Sequence, residues 1–281
     1  MESGFEFLPS GVRTYLEKIF SLLFSYLGKN NVAAFYVFGS VISEEYCESS
    51  DCDLLIVLDD AVTSKQIRYV KGLLKSLEVK YGLCSMDSSI LGRILKAVER
   101  STGMFESHFV CRKSDLLKAS FTRVFSTNRL MSKLLAPSSI VFGSVLSSVR
   151  KVYGQDVLKE AVVPKPTLFT VLKSLAMNLF LSLSTLILYP FTSKANKYEM
   201  EAAKWSILAS NYYLKKSSPG LIEALKFIKS LGVSESYFKH FLRLRNNYQN
   251  DIKFGLATPI YVLKIHAKAL GYSKNIIRKF I

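Results

Sequence analysis

The sequence predicts an α+β fold over residues 1–162, a small mixed sheet flanked by helices, joined to an all-α bundle over residues 163–281. Three observations carry that expectation. Helix-spaced and strand-like runs alternate along the first part of the chain. Two of the strand-like runs, Phe35-Tyr36-Val37-Phe38 and Leu54-Leu55-Ile56-Val57-Leu58, are short, apolar and bounded by Gly-Ser and by acidic residues. Beyond Val162-Val163-Pro164-Lys165-Pro166, which reads as a linker, every apolar pattern is helical.

The elements follow in order. After Pro9-Ser10, the residues Val12, Tyr15, Leu16, Ile19, Leu22, Leu23 and Tyr26 recur at helical spacing until Gly28. Asn30-Asn31 then turns the chain into a strand over 32–38, and a helical start over 41–46 leads through a polar loop to a second strand over 51–58, stopped by Asp59-Asp60. Residues 63–81 read as a helix ended by Gly82, and 88–100 as another, stopped by Gly103. Met104–Cys111 has strand character. A helix runs from Pro137 to Ser148 and is closed by 152–156, and the second half reads as helices over 167–189, 197–216, 219–230, 234–249 and 258–270 with a short end piece.

The charge is unevenly spread. Of a formal net +16, residues 1–60 contribute −7, with 3 Lys and Arg against 10 Asp and Glu, which leaves +23 on residues 61–281. A basic remainder attached to an acidic segment favours a polyanionic partner such as a nucleotide or RNA. The four cysteines form no C-x-x-C pair, and only three histidines are present, so neither a zinc site nor a disulfide framework is expected. No signal-peptide pattern opens the chain, and a cytoplasmic protein is expected. Residues 168–189 approach the length of a membrane span, but Lys173, Asn178 and several Ser and Thr favour a central bundle helix or a dimer interface over a membrane helix.

The chemistry is concentrated at Gly39-Ser40 and Asp51-Cys52-Asp53. In a strand, side chains at i and i+2 share a face, about 7 Å apart, which suits two carboxylates to one divalent cation. A Gly-Ser turn lets backbone N–H groups and a hydroxyl approach a phosphate. Together these read as a site for a metal-bound nucleoside triphosphate. Glu106, on the third strand-like run, is a candidate third metal ligand, with a solvent-facing edge-strand Glu as the competing reading; His108 beside it reads as a packed or surface residue. The words Val37-Phe38-Gly39-Ser40-Val41 recur at Val141-Phe142-Gly143-Ser144-Val145, but no Asp-x-Asp strand follows the second copy, which reads as chance.

On the strand, Gly-Ser, loop, Asp-x-Asp and second strand, residues 35–58 resemble the DNA polymerase β-like nucleotidyltransferase superfamily, in particular its small archaeal and bacterial members with a C-terminal helical domain. The resemblance implies a nucleotidyltransferase domain over 1–162 and a helical domain for substrate binding or dimerisation over 163–281. It implies that Asp51 and Asp53 hold Mg²⁺ or Mn²⁺, that Gly39 and Ser40 contact the triphosphate of an NTP such as ATP, and that a third carboxylate, Glu106 or else Asp87, helps activate the acceptor. The expected reaction is metal-dependent transfer of NMP from an NTP to an acceptor hydroxyl on tRNA or another RNA. Competing readings are transfer to a protein or small molecule, and a non-catalytic nucleotide- or RNA-binding protein on the same fold. A homodimer through the helical half is an expected partner arrangement. Arg245–Asp251 lacks the His of the HEPN ribonuclease motif, so that chemistry is not expected.

Overall fold

Helix α1 (Ser10–Leu27) forms where the sequence spaces its apolar residues, burying Val12, Tyr15, Leu16, Ile19, Phe20 and Leu23 along one stripe. The computed structural model describes residues 6–42, 52–81, 107–191 and 195–279. By contacts between residues the chain divides into two units, residues 1–134 with 148–164 and residues 135–147 with 165–281.

The first unit is built on a four-stranded mixed sheet of order β3-β2-β1-β4. Strand β1 (Val32–Phe38) runs antiparallel to β2 (Asp53–Leu58), with Val37 opposite Leu54 and Phe38 opposite Asp53. Strand β3 (His108–Arg112) is parallel to β2, pairing His108 with Leu54 and Arg112 with Leu58. Leu54, Ile56, Leu58, Phe35 and Val37 pack with α1 and with Val70 and Leu74 of α2 (Ser64–Lys80) into one core. Burying each such side chain contributes on the order of 1.5–3 kcal/mol, so this layer fixes the strand register. Helix α2 begins at a capping box in which Thr63 accepts from the Gln66 N–H and Gln66 accepts from the Thr63 N–H. Short helices α3 (Lys113–Leu117), α4 (Phe121–Val124) and α5 (Arg129–Leu135) follow β3; Phe125, just after α4, meets Phe109 edge-on at 5.0 Å.

The fourth strand departs from the sequence expectation. Residues 152–156, read as closing a helix, belong instead to the region of β4 (Arg150–Gly154), which pairs antiparallel with the free edge of β1. Five residues with exposed Arg150 and Lys151 carry too little apolar alternation to announce a strand. Pairing with β1 and the packing of Tyr153 on Phe20 and Phe24 hold it there. The expected helix over 88–100 lies outside the described residues.

The second unit is helical: α6 (Ser138–Ser148, to residue 147), α7 (Leu168–Leu188), α8 (Ala195–Lys215), α9 (Leu221–Ser230), α10 (Glu235–Asn246) and α11 (Ile252–Lys279). Helices α7, α8 and α11 pack on one another. Leu168–Ile187 is long and apolar enough to cross a membrane by length and composition. Its buried side nevertheless carries Ser174, Asn178, Ser182 and Thr185. Helix α11 starts earlier than the expected residue 258, because Asp251 caps it by accepting from the Phe254 N–H, and it continues through Pro259.

Candidate nucleotide-binding site

Antiparallel pairing decides what meets at the end of the sheet. Because Phe38 lies opposite Asp53, the turn that follows β1 and the residue that opens β2 are brought side by side. Gly39 begins a 3₁₀ turn (Gly39–Ile42) with φ +77°, in the left-handed region that glycine adopts without penalty. A Cβ on Gly39 would overlap the Asp53 carboxylate, so the missing side chain is what lets the two approach. Gly39, Ser40 and Asp53 are all half-buried. Asp53 also lies on the face of the sheet opposite the α1–α2 core, as the alternation with Leu54 requires.

Of the expected site residues, Gly39, Ser40 and Asp53 are therefore gathered at one end of β1 and β2. Asp51 and Glu106, and the second candidate Asp87, lie outside the described residues. The described chain resumes at Ser107, whose carbonyl accepts from the Leu54 N–H at 2.6 Å, so β3 begins beside the residue that follows Asp53. Among the described residues no three His, Cys, Asp or Glu side chains gather as a metal-ligand group. A carboxylate such as that of Asp53 is the hard oxygen donor that Mg²⁺ and Mn²⁺ favour.

Behind this end, on the helical face, sits a buried polar chain that sequence reasoning did not find. His108 Nδ1 lies 2.5 Å from Glu78 Oε1, and its Nε2 lies 2.9 Å from the Tyr15 hydroxyl. The Ser107 hydroxyl also donates to Glu78, and Lys75 Nζ reaches it at 2.9 Å. Burial would raise the Glu78 carboxyl, but the hydrogen bond and charge of His108, with Ser107 and Lys75, outweigh it and hold the group down to about 2. Burial, then the Glu78 charge, push the Tyr15 phenol up. His108 is thus a packed residue, as its sequence context suggests. The missed signal was Glu78 itself, a carboxylate at the next i+4 position of the buried stripe Val70-Leu74.

The repeated pentapeptide shows how far local sequence underdetermines a site. Val37-Phe38 ends a strand, whereas Val141–Val145 lies inside helix α6 and is buried throughout. There Gly143 makes room for the Tyr212 ring, onto which any Cβ would fall.

Comparison with known proteins bears on this geometry directly. Residues 22–95 match the family described as Polymerase beta, Nucleotidyltransferase. No curated protein matches the chain in sequence. Among solved structures, a spectinomycin adenyltransferase from Enterococcus faecialis, crystallised with ATP and spectinomycin, aligns over 92% of this chain and 98% of its own at a TM-score of 0.50 and 11% identity. At that identity the likeness concerns the fold, a mixed sheet flanked by helices with a helical second part. The segment that carries Gly39, Ser40, Asp51 and Asp53 lies within the stretch that matches the Polymerase beta, Nucleotidyltransferase family.

Proposed function

We propose that the protein transfers a nucleoside monophosphate from an NTP to an acceptor hydroxyl, with pyrophosphate as the leaving group. The observation that carries this reading is the apposition of the Gly39-Ser40 turn to the Asp53 carboxylate at the end of β1 and β2. The Gly39 backbone and the Ser40 hydroxyl would bind the triphosphate, since an uncrowded turn leaves room for phosphate oxygens. Asp51 and Asp53, joined by Glu106, would hold a divalent cation, Mg²⁺ or Mn²⁺, which when bound offsets phosphate charge and favours the attacking and departing oxygens. The third carboxylate, in turn, would take up the proton of the acceptor hydroxyl as it attacks the α-phosphorus.

Two acceptor classes have support. A net +23 over residues 61–281 favours RNA, tRNA included. The structural neighbour, solved with ATP and spectinomycin, favours a small hydroxylated molecule. Incubation with each α-labelled NTP, Mg²⁺ and either total cellular RNA or a small-molecule extract separates them by which fraction becomes labelled. In that assay Asp51→Ala and Asp53→Ala are expected to lower transfer by at least a hundredfold while thermal melting stays near wild type, and undiminished transfer in the double variant would refute the assignment. Self-association through the helical half is part of the same proposal, supported by exposed apolar stripes at helical spacing on α7 and α11.

A further inference from the structure

The first unit contains a second concavity, along the β3 edge of the sheet. Its volume is about 530 Å³, within the range of roughly 300–1,000 Å³ typical of small-ligand sites. Helix α2 forms one wall with Ser64, Ile67, Arg68 and Lys71, a single helical face at i, i+3, i+4 and i+7. The far end of β3 contributes Arg112, and the α3–α4 region contributes Asp115, Thr122 and Arg123. Four cations thus converge on one groove against one carboxylate.

Three of the four cationic groups are held by hydrogen bonds. Arg112 donates from Nε to the Val62 carbonyl at 2.8 Å and from Nη2 to Ser64 Oγ at 3.1 Å. Arg123 donates to Asp115 at 3.0 Å, which offsets the one acidic charge in the lining. Lys71 donates to the Ser126 hydroxyl. Each guanidinium has five N–H donors, so both keep several for a ligand after these bonds. A planar fork of this kind matches phosphate oxygens two at a time, and pre-held donors lose little freedom on binding.

We infer that this groove binds a phosphate-bearing small molecule of nucleotide size, at a site separate from the Gly39–Asp53 end. The separation is read along the strands: the lining residues Val110, Cys111 and Arg112 lie level with Ile56, Val57 and Leu58, three to five residues along β2 from Asp53, roughly 10 to 17 Å at ~3.3 Å per residue.

Calorimetry on the full chain in buffer stripped of divalent metal by chelating resin tests this without requiring turnover. Inorganic phosphate, pyrophosphate, ATP and a short single-stranded RNA are the probes. Pyrophosphate and ATP are expected to bind at one site per chain, more tightly than phosphate, and equally well in Asp53→Asn. Arg68→Glu combined with Lys71→Glu is expected to weaken them at least tenfold, and the milder Arg68→Gln to weaken them measurably with an unchanged melting curve. The inference is overturned if neither probe binds saturably, if binding is lost in Asp53→Asn but survives the charge reversals, or if RNA alone binds. Because no step depends on catalysis, a failure here leaves the transferase proposal standing, and the reverse also holds.

Discussion

Gly39 is the residue on which the site geometry turns, for two separable reasons. Its φ of +77° costs an L-residue roughly 1–2 kcal/mol, and a side chain there would strike the Asp53 carboxylate. Gly39→Ala is therefore expected to lower the melting temperature by several degrees and to reduce nucleotidyl transfer by more than tenfold, since a carboxylate displaced by about an ångström is out of position for catalysis. Retained transfer at wild-type rate would show that this approach is dispensable. A second residue, Glu199 on α8, tests the helical unit. Among the described residues neither of its carboxylate oxygens has a hydrogen-bond partner of good geometry, and burial pushes its carboxyl up to about 9, opposed by the nearby Thr258, whose hydroxyl donates to the Phe254 carbonyl. A raised carboxyl favours the protonated form in the folded state, so its cost to folding is absent below about pH 4.5 and grows as pH rises from there towards 9. Glu199→Gln is expected to raise stability at pH 8, by on the order of a few kcal/mol, and to leave it unchanged at pH 4; equal melting curves at pH 8 would contradict this.

Among the secondary-structure elements, α1, α2 and β3 are tied together by the Tyr15–His108–Glu78 chain, directly behind Asp53's end of the sheet. Because the folded Glu78 carboxyl lies below its ordinary value of 4.5, the stability it contributes is fully present above that value and is lost as pH falls towards about 2. Urea denaturation of wild type and Glu78→Gln should therefore show a gap at pH 6 that narrows steadily towards pH 2.5, and a gap independent of pH would argue against the ionised carboxylate. Elements also explain why one pentapeptide has two fates. The copy at 37–41 ends a strand whose partners, β2 and β4, take up its backbone hydrogen bonds. The copy at 141–145 finds no such partners, and Ile140 joins a cluster with Val171 and Ala209 of the helical unit.

For the whole molecule, α7 of the helical unit is apolar on both sides. Its buried side mixes Ser174, Asn178, Ser182 and Thr185 with Val171, Met177 and Leu181, while Phe180, Leu183 and Ile187 are exposed, and α11 exposes Leu256, Ile260 and Leu263 at matching spacing. Apolar residues repeated along exposed helix faces are the signature of a surface covered by a partner. If a second copy is that partner, light scattering should give twice the mass of one chain, and Ile187→Glu with Ile260→Glu should halve it. A monomeric wild type would refute self-association.

Most of the helices and the first three strands were legible because each has enough apolar residues at period 3.6 or 2 to mark its own buried face, as Leu16, Ile19 and Leu23 do in α1 and Leu54, Ile56 and Leu58 do in β2. The Gly-Ser turn was legible for a related reason: it closes an apolar strand within a single segment. What depends on contacts between segments was not. Strand β4 is too short and too charged to show a period, and exists because β1 has a free edge. Glu78 looks like any helix-surface acid until Ser107 and His108, about thirty residues on, close over it. The sequence by itself determined the fold class, since composition and periodicity are local properties, and it nominated Gly39, Ser40, Asp51 and Asp53 as candidates for the chemistry. Only the tertiary structure decided that Gly39 stands against Asp53 and that four cations share one groove, because both follow from strand pairing and helix packing across long stretches of chain.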